Sequence, residues 1–178
     1  MNRSFSEKYC GCSLPIMFVM TRNEAAIGSL ILNNCFITVD DPDAALGFYR
    51  DILGFSVKTD VSNGSFRWLT VTTPHQPELE ITIQQVGAGL PMTDADKAAL
   101  ADLLAKGLLS AMIFDVKDVD ALFEHVRASG AEVLQEPTDQ FYGVRDCAFR
   151  DPAGNMVRFK TDKPEADRLA EHGFPPRT

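Results

Sequence analysis

The chain repeats itself. Val39-Asp40-Asp41-Pro42-Asp43-Ala44-Ala45 returns 77 residues further on as Val116-Lys117-Asp118-Val119-Asp120-Ala121-Leu122. Arg50 meets Arg127 at the same shift, and with one gap Gly54 meets Gly130. A fixed period constrains a fold more tightly than local propensity does, because every copy must bury its apolar face in the same way. This period is too long for a solenoid repeat and suits two copies of one larger unit. A chain of 178 residues has room for both copies in a domain of ordinary size.

Each copy reads alike. A strand opens it, over residues 34–39 and again over 111–116. A helix follows, with Asp41 and Asp118 as N-caps and Pro42 at the first helical position. Ala45, Leu46, Tyr49 and Leu53 recur at helical spacing, as do Val119, Leu122, Phe123 and Val126. Gly54 and Gly130 end the helices in a left-handed conformation. Three strands then complete each copy: residues 55–61, 66–72 and 79–84 in the first, 132–135, 144–149 and 156–160 in the second. Asn63-Gly64 supplies a hairpin turn, and Asp151-Pro152-Ala153-Gly154-Asn155 a second one.

The fold class is therefore α+β, built from two β-α-β-β-β modules. Module one spans residues 31–86 and module two 108–161. An inserted helix occupies 87–107, with Thr93 and Asp96 as a capping-box pair and Gly107 as its stop. Residues 162–178 form a peripheral tail. Residues 1–30 read as a flexible extension, with Met20 as a candidate start. Their apolar run, 14–20, contains Pro15 and lacks a convincing cleavage site, so a secretory signal fits less well.

Charge and cysteine content narrow the function. Seventeen basic residues against twenty-five acidic ones give a net charge of −8, which argues against nucleic acid as a partner. No 18-residue apolar run exists to span a membrane. Cys10 and Cys12 form a lone C-x-C without a companion cluster, weak support for a metal. Cys35 and Cys147 sit in apolar strands as small hydrophobes, and this sparse usage suits a reducing cytoplasm.

The sequence resembles the vicinal oxygen chelate superfamily, which includes glyoxalase I, bleomycin-resistance proteins, fosfomycin-resistance enzymes and extradiol dioxygenases. The resemblance covers residues 31–161. It rests on Val39-x-Asp41, Phe48-Tyr49-Arg50 with Leu53-Gly54-Phe55, and Asp151-Pro152-x-Gly154-Asn155, together with the repeat. It implies curled mixed sheets whose modules form a shared cleft, completed within the chain or across a homodimer. Metal enzymes of the family draw ligands from the first and last strand of each module. By motif alignment those positions hold Asn34, Glu80, Ala111 and Arg158. Ala111 has no donor atom and Arg158 is a fixed cation, so neither a metal nor any other cofactor is expected.

The leading expectation is a protein that binds a small molecule, antibiotic or metabolite, in the cleft. Its contacts would be Asn34, Glu80, Tyr142 and Arg158, with Phe36 and Ile113 as apolar lining. Pseudo-symmetry predicts Glu80 and Arg158 as an ion pair at the polar centre, where the metal would sit. Two rivals stay open: a metal-dependent isomerase, lyase or dioxygenase, and an interaction module with a filled cleft. His75, His125 and His172 form no cluster and read as solvated structural residues. Asp40, Asp41 and Asp43 read as helix capping rather than catalysis. Neither a nucleophile elbow nor a phosphate loop nor a dinucleotide fingerprint is present. Arg67 and Trp68 must face opposite ways, and a packing role in the core is favoured for Trp68. Phe141 and Tyr142 lie between strands and overhang the cleft.

Overall fold

The computed structural model describes residues 28–64, 66–89 and 91–163. Cys10, Cys12, the run 14–20, His172 and the tail beyond 163 lie outside the described residues. Two units separate at Ile31. Of the first, Met1–Ile31, residues 28–31 are described and have exposed side chains. The second, Leu32–Thr178, carries the regular structure.

Alternation along the strands dictates the layering. In β1 (Asn34–Val39), Ile37 and Val39 are buried while Phe36 is exposed. The same two-residue rhythm buries Leu69 and Val71 in β3 (Phe66–Thr73), and Ile81 and Ile83 in β4 (Gln76–Gln85). With β2 (Ser56–Asn63) these strands form a sheet of order β1-β4-β3-β2, in which only β1 and β4 run parallel. Module two repeats it with β5 (Ala111–Asp115), β6 (Val133–Gln140), β7 (Val144–Arg150) and β8 (Met156–Asp162), in the order β5-β8-β7-β6. Two four-stranded mixed sheets, neither of them closed, result.

The helices cover one side of these sheets. Asp41 accepts the backbone N–H groups of Asp43 and Ala44, starting α1 (Pro42–Leu46). The expected single helix then widens into a π-helical stretch, Gly47–Ile52. Its end is marked by Leu53 N–H donating to the Phe48 carbonyl, a five-residue step. Thr93 and Asp96 close the expected capping box on α2 (Asp94–Ala105), and Asp118 caps α3 (Val119–Ala128). No helix among the described residues is long and apolar enough to cross a membrane. Strand β6 continues past its expected end, through Pro137. As an edge strand it tolerates a residue with no N–H to donate.

One apolar core serves both modules. Phe55 meets Phe114 at 5.4 Å between ring centroids, and Phe114 stacks on Phe159 at 5.9 Å. Cys147 is buried in that core, which pushes its thiol up to about 11, so it stays protonated at neutral pH. A polar junction crosses the same join. Asp151 Oδ2 accepts the Tyr49 hydroxyl at 2.8 Å and the Asn155 side-chain amide at 3.0 Å. Its Oδ1 accepts the N–H groups of Ala153 and Asn155. The Asn155 amide also donates to the Thr38 carbonyl at 2.9 Å. Gly154, at φ 107°, lets this turn approach α2: a Cβ there would lie 2.4 Å from the Leu104 carbonyl oxygen.

A second device is repeated in each module. Arg67 grips Asp60 of β2 with two bonds of 2.8 Å and Asp43 of α1 with a third. Arg145 grips Asp120 of α3 through two N–H groups and Asp139 of β6 through another. Each arginine thus ties the start of its helix to an edge strand, and this settles the orientation of β3. Arg67 turns to the helix side, so Trp68 lies on the opposite, open face. The expected core role of Trp68 is corrected: alternation fixed that the pair diverge, and the burial of Leu69 and Val71 on the same strand puts Arg67 on the helix side, where Asp43 of α1 meets it.

Replacing Asn155 with Ala removes two buried hydrogen bonds and leaves the Thr38 carbonyl without its partner. We expect a loss of about 2–3 kcal/mol in urea unfolding. Arg67→Gln, at an exposed clamp, should cost under about 1 kcal/mol. If Asn155→Ala proves no costlier than Arg67→Gln, the junction does not hold the modules together.

Candidate functional site

With helices on one side, each sheet leaves its other face open. On module one this face collects Asn34 and Phe36 from β1, Thr59 and Val61 from β2, Phe66, Trp68 and Thr70 from β3, and Glu80 and Thr82 from β4, as the pairing register requires. Thr70, Thr72 and Thr82 are buried and make a low floor. Beside them stands an aromatic wall. Phe36 meets Trp68 edge-on at 6.1 Å, and Phe66 lies 6.4 Å from Trp68. Phe36 is 55% exposed and Phe66 41%, so among the described residues these rings stay partly open.

The charges on this face are paired locally. Glu80 meets Lys58 at 3.2 Å. The Thr70 hydroxyl, which lies beside the carboxylate without closing a regular hydrogen bond, and the Lys58 ammonium hold Glu80 below the usual carboxylate range. Asn34 accepts the Thr82 hydroxyl at 2.9 Å.

Module two offers a different face. Asp146, on β7, is 1% exposed and accepts four side chains: Gln135 at 2.6 Å, Gln140 at 2.8 Å, Arg158 at 2.5 Å and the Tyr142 hydroxyl at 3.4 Å. Burial alone would push its carboxyl up. The bonds from Gln140, Arg158 and Gln135 outweigh that and hold it below the usual range. Arg158 donates further to Gln135 Oε1 at 3.2 Å. Ile113, paired across the sheet with Arg158, is 60% exposed. It also lines a groove of about 620 Å³ with Leu53, Phe55, Leu79 and His75, where β5 passes the β3–β4 turn.

The expected ion pair between Glu80 and Arg158 is absent. Glu80 is held by Lys58 and Arg158 by Asp146, so each charge is satisfied by a neighbour in its own sheet. The register explains the error. Asn34 lies opposite Glu80, and Ala111 lies opposite Met156, so Met156 is the residue that mirrors Glu80. Arg158 mirrors Thr82 instead. A slip of two residues keeps a side chain on the same face, and alternation is blind to it. The corrected set of Asn34, Glu80, Ala111 and Met156 offers one carboxylate, an engaged amide, no donor and a soft thioether. That set does not fit a hard divalent cation or zinc. Among the described residues, no three His, Cys, Asp or Glu side chains converge.

Of the six expected contacts, Asn34, Phe36 and Glu80 share the module-one face, while Arg158, Ile113 and Tyr142 belong to module two. The sequence reading missed Phe66 and Trp68 as face residues, and it missed Asp146 altogether. Its signal was present: Cys147 and Phe149 mark the core side of β7, which sends Asp146 to the other. His125, expected to be solvated, is exposed but bonds the Ile52 carbonyl of module one at 2.9 Å.

Residues 31–159 match the family model described as the Glyoxalase/Bleomycin resistance protein/Dioxygenase superfamily. The uncharacterized protein YurT of Bacillus subtilis (strain 168) is 31% identical over 126 residues, which are 68% of this chain and 91% of YurT. Among solved structures, UcmS2 is similar at a TM-score of 0.67 and 33% identity, over 74% of this chain and 97% of UcmS2. TnmS3, an antibiotic binding protein from Streptomyces sp. CB03234, shares the fold at a TM-score of 0.58 and 22% identity, over 75% of this chain and 97% of TnmS3.

Asp146→Asn keeps the shape but adds a donor where four donors already point. At pH 7 we expect it to cost about 2–3 kcal/mol, less than for a wholly buried pair because Arg158 still reaches water. A depressed folded-state pKa contributes stability above the unfolded value, near 4, and loses it as pH falls through the folded value. Wild-type stability should therefore decline below about pH 4, and the gap to the variant should narrow. Urea midpoints at pH 7 and pH 3 check both; an equal gap at the two pH values would contradict this role for Asp146.

Proposed function

The chain belongs to the glyoxalase/bleomycin resistance protein/dioxygenase superfamily, and on that footing we propose that it binds a small organic molecule on its open sheet faces without using a metal. The observation that carries this reading is the uncovered aromatic wall of Phe36, Phe66 and Trp68 beside a floor of buried threonines. Aromatic surface of this kind is costly to leave in water and well suited to a flat apolar ligand. Asn34 and Glu80 rim that wall; Tyr142, Ile113 and Arg158 supply contacts on module two. The antibiotic-binding description of TnmS3, a protein of the same fold, points to ligands of the same broad kind.

The protein works in this reading as a homodimer in a reducing cytoplasm. The helix sides of both sheets share one core, so the open faces are the surfaces left for a second copy. A two-fold arrangement would lay one protomer's aromatic wall toward its partner and enclose the ligand. The free Cys35 and Cys147 suit that compartment.

Trp68 is the sole tryptophan of the chain, so its fluorescence reports directly on the wall. Mass spectrometry of the native protein should find a co-purifying small molecule whose return to stripped protein quenches Trp68. Phe36→Ala should weaken that binding by about tenfold or more, as loss of one aromatic contact implies, and leave the urea midpoint nearly unchanged. A ligand whose binding is indifferent to Phe36→Ala, or whose retention requires one metal ion per chain, would defeat the reading.

A further inference from the structure

We propose that the module-two face recognises a neutral carbonyl oxygen, as in an amide, ketone or lactone, through Arg158, and that it discriminates against carboxylates. This deepens the small-molecule reading and rests on it.

Arg158 has donors left over. Arg158 commits Nη1 to Asp146 and to Gln135. Among the described residues Nη2 meets only the Met156 sulfur, at 3.9 Å, a weak acceptor. The side chain is 21% exposed, so these N–H groups have access to whatever lies over the face. An arginine with unspent donors in a half-buried site is a ready partner for an oxygen.

Its aim is fixed beforehand. Asp146 is saturated by Gln135, Gln140, Tyr142 and Arg158, and it sits on the central strand β7. The guanidinium cannot swing away without stranding that carboxylate, so little ordering remains to be done when a ligand arrives.

Charge selects between oxygens. The Arg158 cation is already matched by Asp146. Lys160, the other cation of β8 on this side, is matched by Asp115 at 2.5 Å and Asp162 at 3.1 Å. Two cations therefore stand among three carboxylates, and a fourth negative charge would lose its hydration with no unpaired cation of β8 to meet it. A neutral carbonyl loses far less on leaving water and still accepts the Nη2 donors. Ile113, paired across the sheet with Arg158 and largely exposed, provides an apolar flank for the body that carries the carbonyl.

Three probes of one shape separate the terms: 2-naphthamide, 2-naphthoate and 2-methylnaphthalene, titrated at pH 7 into the isotope-labelled full chain with the Arg158 Nε–H signal followed by NMR. We expect the amide to bind about three- to tenfold more tightly than the other two, the margin of one well-placed hydrogen bond, and to move the Arg158 signal. Arg158→Gln should erase the margin. Arg158→Lys, which keeps the charge and the bond to Asp146 but not the fork, should reduce it and serves if the first variant folds poorly. Naphthoate binding as tightly as the amide, or a margin that survives both variants, overturns this proposal alone. Failure of all three probes to bind overturns it together with the small-molecule reading.

Discussion

The carboxylate of Asp151 is the point through which the two modules become one structure. It sits 4% exposed at the turn before β8 and accepts bonds from its own turn and from Tyr49 of the other module. A buried carboxylate is expensive unless its lone pairs are filled, and here Tyr49 and Asn155 fill them. Asn155 extends the same bond chain to the Thr38 carbonyl on β1. Burial and the neighbouring Asp151 push the Tyr49 phenol well above its ordinary range, which keeps it a donor at any physiological pH. The aromatic contacts from Phe55 through Phe114 to Phe159 close around this junction. Apolar burial brings the modules together, and the polar junction admits only one way of joining them.

That join spends the helix-covered side of both sheets and leaves the other side open. The scaffold positions of the repeat have stayed alike. Asp41 and Asp118 cap, and Arg67 and Arg145 clamp helix to edge strand. The open faces have not. Where module one carries rings and threonines, module two carries a buried Asp146 ringed by amides, a phenol and a guanidinium. Thr82 and Arg158 stand at equivalent positions, as do Phe36 and Ile113, yet they present unrelated chemistry. Substitution on an open face leaves the apolar core shared by the modules intact, so a duplicated fold can diverge there while that packing is preserved.

The sequence by itself determined the modules, their order, their caps and the alternation along each strand. These follow from interactions between residues close in the chain: a cap reaches two or three residues, and strand alternation has a period of two. On the open face of module one it named Asn34, Phe36 and Glu80, for the same reason. What it could not determine was anything requiring a choice between two equally local solutions. Alternation sent Arg67 and Trp68 apart, but the burial of Leu69 and Val71 and the partner Asp43 on a different element settled which of them met the helix. Alternation put both Met156 and Arg158 on the open face, but only the hydrogen-bonded register decided that Met156 lies opposite Ala111. Glu80 and Arg158 were each within reach of several partners, and proximity in the folded sheets, Lys58 to one and Asp146 to the other, settled the pairing. Charges take the nearest partner in space, and nearness in space is a property of the tertiary structure alone.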